Sequence, residues 1–411
     1  MTNQAAYPAF RRMDPEKLEE MRKAIREENL DGWLFCNFHH RDRLSDEILA
    51  IPSGVSNSRW WIYAVPALPP LGEEGKELPL KIVSRVEEDV LDFLPGEKIP
   101  YSGREELLSR LAALGGKRWG VHASKTLAAI SWLDAGAAAL FKEAGLVLAP
   151  AAGLIQRFRG LLDGKGMASH ERAAAHLYES VFIAWEAVRR AYRQRKTITE
   201  ADIQRLFLDE FEKRKLTSDH PPLVAAGINS GNPHYEIRKG AVFKSGDVIQ
   251  FDVWAKEAGG IYADISWAGF YGLKPPGSLE KKFGDLVSAR EDGLEYLRNG
   301  LEAERRPSGA AVDAAVRKSL AALGYTEALR HRTGHGIDTE VHGSGVNIDS
   351  VEFPDERLLL DGSCFSLEPG VYFQDFGLRT EINVYIRDGK AVVSGAHSGH
   401  ERQSRILTCD E

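Results

Sequence analysis

Cysteine is almost absent: Cys36, Cys364 and Cys409 are the only three in 411 residues, and they are scattered. Nothing in their spacing suggests a disulfide framework or a thiolate zinc knuckle. Long apolar runs are missing too, none approaching the roughly 18 residues of a membrane span. Met1-Thr-Asn-Gln-Ala-Ala is followed by Arg11-Arg12 rather than an apolar secretory core, so a cytoplasmic protein without membrane contact is expected. The chain also lacks an excess of positive charge. Its formal net charge is −7, which argues against a nucleic-acid surface. What remains is ordinary for a globular protein, 43% hydrophobic and 27% charged residues, with a length that predicts two or three domains.

The informative stretch runs from Asp247 to Gly272. Two apolar runs flank Gly259-Gly260, a pair suited to the positive φ of tight strand turns. Each run carries one carboxylate, Asp252 in Val-Ile-Gln-Phe-Asp and Asp264 in Tyr-Ala-Asp-Ile. A lone acid among strand-forming residues is costly to bury unless something compensates it, and a cation between two such acids would do so. The arrangement recurs. Gly362-Ser-Cys-Phe-Ser-Leu-Glu368 parallels Gly246-Asp-Val-Ile-Gln-Phe-Asp252, and Glu381-Ile-Asn-Val parallels Asp264-Ile-Ser-Trp. The paired acids stand twelve residues apart in the first copy and thirteen in the second. Between the copies lies Thr333-Gly-His-Gly-Ile. Four carboxylates and one imidazole form a donor set for a pair of divalent cations.

These residues resemble the pita-bread metallopeptidases: aminopeptidase P, prolidase, methionine aminopeptidase and their non-metal relative creatinase. The match rests on Asp252, Asp264, His335 in Gly-His-Gly-Ile, Glu368 in Glu-Pro-Gly-Val-Tyr and Glu381 in Leu-Arg-Thr-Glu. The resemblance implies an α+β chain. A C-terminal pita-bread fold, a pseudo-twofold duplicated αα-ββ unit over residues 161–411, would follow an N-terminal α/β creatinase-like domain over residues 1–160. It further implies that Asp252 chelates one metal, Asp264 and Glu381 bridge, and His335 and Glu368 complete the second site. The metals implied are two divalent ions, manganese first, with cobalt, zinc or iron as alternatives. Glu368 would shuttle a proton for the attacking water. His342, seven residues after His335, and His234, in Asn-Pro-His-Tyr, would donate to the substrate carbonyl or oxyanion. Arg379 would orient an acid of the metal shell, and Tyr372 would lie near the catalytic centre.

The N-terminal region alternates helix and strand signals. Asp14-Pro15-Glu16 opens a helix to about Asn29, and strands are expected at 33–36, from Trp60 and from Leu80, with a proline- and glycine-rich loop at 66–79. Helices are expected at 105–114 and 127–144, with short extended segments at 119–122 and 146–148. The cluster from His39 to Arg43 reads as a solvated loop, or as one reaching over a partner subunit's cleft. Glycine-rich residues 160–166 mark the boundary. A helix follows over 171–196, burying Ala174, Leu177, Val181, Ile183, Trp185 and Val188. Thr199-Glu-Ala-Asp202 is a capping box for a helix ending near Lys215. A further helix spans 279–297, and Ser308 caps another that Gly324 ends.

Some positions depart from the family pattern. Trp254 replaces a customary glycine, Asp264-Ile-Ser-Trp-Ala keeps a hydroxyl but loses an arginine, and Gly343-Ser-Gly-Val follows His342 in place of an acid, a proline and, in archaeal-type prolidases, an arginine. None of these touches an implied ligand. The expected activity is hydrolysis of the bond between an N-terminal residue and proline, in dipeptides or in longer peptides. Bulky Trp254 and Trp267 favour a short site and hence a dipeptidase. The expected assembly is a homodimer, with the N-terminal domain and its Trp60-Trp61 pair capping a neighbour's cleft. The alternatives are a creatinase-like hydrolase of a small guanidino compound and a non-catalytic peptide-binding module.

Overall fold

The computed structural model describes residues 13–52, 54–67, 78–395 and 402–410. Most of the 66–79 loop and the first twelve residues lie outside them. The chain divides into two compact units, one ending at Arg159 and the other beginning at Gly160.

The N-terminal unit comprises α1 (Pro15–Glu27), β1 (Gly32–Asn37), α2 (Arg43–Ile48), β2 (Trp61–Pro66), β3 (Leu80–Ser84), β4 (Glu97–Tyr101), α3 (Arg104–Ala112), β5 (Arg118–Val121), α4 (Ala135–Glu143), β6 (Val147–Pro150) and α5 (Ala152–Ile155). Asp14 caps α1 by accepting from the Lys17 N–H at 2.8 Å. The six strands form one mixed sheet in the order β4-β3-β2-β1-β5-β6. The expected helix at 127–144 is two pieces, a short 3-10 turn at Ala128–Ile130 and α4. Asp134 restarts the helix by accepting from the Ala137 N–H, so capping overrides alanine content there. The 39–43 cluster is only half solvated. Asp42 is buried, caps α2 and pairs with His122 at 2.7 Å, whereas His40 is exposed and bonded to Asp46. Trp61 is likewise buried, leaving Trp60 alone of that pair near the surface.

The C-terminal unit contains α6 (Gly164–Gln194), α7 (Glu200–Arg214), β7 (Leu216–Thr217), β8 (Leu223–Ala226), β9 (Val248–Glu257), β10 (Ala263–Phe270), α8 (Gly277–Glu302), α9 (Gly309–Ala322), β11 (Cys364–Leu367), β12 (Gly370–Tyr372), β13 (Gly377–Arg379), β14 (Ile382–Arg387) and β15 (Lys390–Val393). A helix pair thus precedes each acid-bearing strand set, the duplicated αα-ββ plan. The capping box at Thr199 is present, with both reciprocal bonds to Asp202. Helix α6 begins earlier than expected because Asp163 caps it and its glycines are tolerated in the first turn. Its buried face holds Ala174, Leu177, Val181, Trp185 and Val188. Ile183 does not belong to that face and is 38% exposed. Trp185 lies so close to β10 that a Cβ at Gly269 would sit 2.2 Å from its ring, a contact that only glycine permits. Trp185, Phe207, Phe251 and Trp267 share one core between α6, α7, β9 and β10. Each large apolar side chain buried there contributes roughly 1.5–3 kcal/mol.

Candidate metal centre

Strands β9 and β10 pair antiparallel with Asp252 opposite Ser266 and Trp254 opposite Asp264. Because strand side chains alternate, Gln250, Asp252 and Trp254 on β9 share a face with Asp264 and Ser266 on β10. Trp267 lies on the other face, in the helix-covered core, so it does not shape the site. Trp254 lines the cavity, where its indole N–H donates to Asp219 Oδ1 at 2.7 Å. The connection between the strands spans residues 258–262, longer than a two-residue turn at Gly259-Gly260, and only Gly259 of that pair has positive φ.

The second hairpin is broken where its acids sit. Leu367 pairs with Ile382, and Gly370 with Arg379, leaving Glu368-Pro369 and Thr380-Glu381 between two ladder segments. Proline cannot donate to a ladder. The Glu381 N–H donates instead to Ser266 O at 3.2 Å, while the Asp264 N–H donates to Asn383 Oδ1 at 2.8 Å. These bonds lock the two hairpins together with their acids converging.

His335 is supplied by the segment between α9 and β11. The flanking glycines allow close passage: a Cβ at Gly334 would lie 2.0 Å from Ser366 O, and one at Gly336 would lie 2.6 Å from Gly345 C. The His335 N–H donates to Ser366 Oγ at 3.0 Å. Its Nδ1 is 3.3 Å from Gly336 O, which fixes the proton there. Nε2 and its lone pair then face Asp264 Oδ2 and Glu368 Oε1, both at 3.4 Å. A lone pair aimed at two carboxylates is unfavourable unless a cation lies between them.

Asp264, His335 and Glu381 are all buried, and each offers a ligand atom within 4.8 Å of the others. Asp252 and Glu381 are joined through Ser266 Oγ, 2.7 Å from Asp252 Oδ1 and 2.9 Å from Glu381 Oε2. With one proton, that hydroxyl donates to one acid at a time while accepting from Arg379 Nε at 2.9 Å. Arg379 also donates to Asp252 Oδ2 and stands 4.0 Å from Glu368. A single guanidinium therefore serves four carboxylates. The deficit shows in the protonation. Burial, then Asp252 and Glu368, push the Asp264 carboxyl well above its ordinary range. Burial, then Asp264, Glu368 and Asp252, do the same to Glu381. Asp264 Oδ1 and Glu381 Oε1 are buried without any hydrogen-bond partner among the described residues. Orphaned acceptors, an inward imidazole lone pair and a shortage of positive charge all fit a divalent-cation site.

The acids open into a cavity of about 760 Å³, also lined by His234, His331, His342, Arg332 and Trp254. His342 meets His335 edge-on, ring centroids 4.3 Å apart. Its neighbour His335, then burial and Arg332, push its pKa down to about 3, so the ring is neutral and carries one N–H donor. His234 is exposed at the cavity wall. Tyr372 does not line the cavity. It is buried, with its hydroxyl 2.8 Å from His331 Nε2 and 3.4 Å from Arg379 Nη1, and burial pushes it up to about 12. Because His331 Nδ1 is 2.6 Å from Arg332 O and donates to it, the tyrosine donates to His331. Its place is that of a support behind Arg379 rather than of a group touching substrate.

Sequence reasoning passed over an inner polar layer. Gln250 accepts from the Arg379 N–H at 3.0 Å, Ser266 joins two acids, Ser366 donates to Glu368 at 3.1 Å, and Asn383 holds Asp264. Each stands two residues from one of the four converging acids, in the pairs Gln250/Asp252, Asp264/Ser266, Ser366/Glu368 and Glu381/Asn383. Strand periodicity was thus the available signal. His331 and Arg332 gave no comparable signal.

Fold and site together define a duplicated α+β protein built around a buried carboxylate–imidazole cluster. The chain belongs to metallopeptidase family M24, whose profile matches residues 170–388, more than half of its length. It is 29% identical over 210 residues to the Xaa-Pro dipeptidase of Lactobacillus delbrueckii subsp. lactis, covering 50% of this chain and 52% of that protein. It is 31% identical over 173 residues to the probable dipeptidase PepE of Mycobacterium bovis, covering 41% and 42%. The matches thus span about half the length of these relatives. The crystal structure of dipeptidase PepE from Mycobacterium ulcerans superposes with a TM-score of 0.70 at 19% identity, over 97% of this chain and 100% of that one. The likeness shows a shared pita-bread fold with its N-terminal domain. No helix among the described residues is long and apolar enough to cross a membrane.

Proposed function

We propose that this protein is a dinuclear metal-dependent peptidase cutting between an N-terminal residue and proline. The observation that carries the reading is the buried meeting of Asp264, His335 and Glu381, with Asp252 and Glu368 bonded into the same cluster and too little positive charge to balance them. Support also comes from family membership and from relatives named as Xaa-Pro dipeptidase and dipeptidase.

Asp252, Asp264, His335, Glu368 and Glu381 would hold the ions, with manganese favoured by a set of mostly oxygen donors. Bound there, divalent cations supply Lewis acidity, which polarises a peptide carbonyl and acidifies a water. The chain's own residues do the rest. Glu368 faces the cavity and would take a proton from the attacking water and return it to the leaving nitrogen. Neutral His342, with His234 on the cavity wall, offers N–H donors to a developing oxyanion. Arg379 holds Asp252 and Ser266 in place. Proline suits such a site because its tertiary amide has no N–H that must find an acceptor.

The test is hydrolysis of Ala-Pro by the full chain, with manganese and after chelation, beside Glu381→Ala. Metal-dependent release of proline that fails in Glu381→Ala is expected. Hydrolysis unaffected by chelation would overturn the reading.

A further inference from the structure

Glu200 is a fully buried carboxylate that takes no part in the metal cluster. It stands in the first turn of α7, where Thr199 and Asp202 complete the capping box between themselves. The Glu200 side chain reaches instead across to residues 226–241, the segment that carries His234. Its Oε1 accepts from the Ala226 N–H and the Asn229 amide, and its Oε2 from the Tyr235 hydroxyl and the Ala241 N–H, all at 2.8 Å. Asn229 also donates to the Tyr235 oxygen at 3.0 Å, closing a ring of three side chains. All four donors to the carboxylate are uncharged. Two donors on each oxygen satisfy a buried carboxylate with neutral partners, and the positive end of the α7 dipole favours its charge. The direction of the bonds is fixed as well, because an ionised carboxylate only accepts and Tyr235 must donate to it. Burial, then that bond, push the Tyr235 phenol up to about 12.

The backbone around the segment is tied at both ends. The Glu200 N–H donates to Ala241 O at 2.9 Å, and the Gly377 N–H of β13 donates to Ser230 Oγ at 3.0 Å. Gly240, with positive φ, brings the chain so close to α7 that a Cβ there would lie 2.8 Å from the Ala201 Cβ. Between these ties, exposed and half-buried residues alternate from Asn232 to Arg238. Tyr235 bonds to Glu200, while its neighbour His234 stands exposed at the cavity wall. The His234 ring makes no hydrogen bond to any described residue. Its place is therefore set by its backbone, and Tyr235 is the adjoining point at which that backbone is held.

We propose that Glu200 is the positioning residue for His234, holding the 226–241 segment through Tyr235 so that the imidazole faces the reacting carbonyl. The inference rests on the peptidase reading above and adds to it a residue that does not line the cavity yet sets turnover.

The experiment is a double-mutant cycle with Ala-Pro on the manganese-loaded full chain: wild type, Glu200→Gln, His234→Ala and the two together, with bound metal measured for each. Glutamine has nearly the same shape but turns an NH2 group toward two of the donors. Glu200→Gln should keep its metal and lose about 10- to 100-fold in kcat, the scale of a misplaced catalytic group, with KM changed much less. The double variant should be no slower than His234→Ala, because an absent imidazole cannot be misplaced. Tyr235→Phe removes one of the four bonds, should lose less, and replaces Glu200→Gln in the same cycle if that variant does not fold. An unchanged kcat, metal lost in step with activity, or losses that multiply in the double variant would overturn the proposal. If wild type does not cleave Ala-Pro, the peptidase reading fails, and NMR relaxation of the His234 ring decides the positioning. A ring more mobile in Glu200→Gln than in wild type supports it, and an unchanged ring contradicts it.

Discussion

The shortage of positive charge among four acids is the residue-scale fact from which the site's behaviour follows. In the metal-free chain Asp264 and Glu381 keep protons that the unfolded chain releases above about pH 4. The native state then binds more protons than the unfolded one, so the contribution of these two groups to stability falls as pH rises from there toward their raised native values. In the proposed metal-bound state, cations would take over the role of those protons. The gain in Tm on adding manganese should therefore be larger at about pH 7.5 than at about pH 5; equal gains would show that the acids do not bind the ions. The histidines separate ligation from proton chemistry. His335→Ala should lose activity in step with bound metal. His342→Ala should keep its metal yet lose about 10²–10³ in turnover, as expected for an oxyanion donor. Loss of metal from His342→Ala would place that residue wrongly. Ser266→Ala should weaken metal affinity by about 10- to 100-fold, the usual effect of removing a partner that holds a ligand, readable by calorimetry.

At the scale of elements, the site depends on how two unequal hairpins meet. Much of this was legible: acid-bearing strands, glycine-bounded histidine, helix caps at Asp14, Thr199 and Ser308. Those signals are local, set by spacing and by capping chemistry within a few residues. What was not legible depended on tertiary contact. Trp267 and Trp254 look equally close to the acids in sequence, but alternation sends one into the α6 core and the other into the cavity. Ile183 sits among buried α6 positions yet stays exposed. The break in the second hairpin at Glu368-Pro369 could be suspected from the proline, but the bond from the Glu381 N–H to Ser266 could not. The His335 segment carries its own prediction. Gly334→Ala would force a Cβ against Ser366 O, and such overpacking costs typically about 1–3 kcal/mol. The expected result is a lower Tm together with weaker metal retention. An alanine variant with wild-type metal affinity would mean that the close passage does not position His335.

At the scale of the whole molecule, chemistry concentrates in the unit beginning at Gly160. The N-terminal unit carries no comparable ligand cluster among its described residues. It does present a cavity of about 560 Å³ lined by Phe38, Arg41, Arg59, Trp60 and Arg104 among others. We propose that this unit serves assembly, and light scattering is expected to give twice the chain mass; a monomer at working concentration would contradict that. The central claim, that the five converging residues form a dinuclear centre, has a more direct test. Metal-stripped full chain is titrated with manganese while bound ion and Ala-Pro hydrolysis are followed in the same samples. The account predicts two ions per chain, with activity rising as the sites fill and both lost in Glu381→Ala. Saturation at one ion or fewer, or two bound ions without any hydrolysis of Ala-Pro, would contradict it.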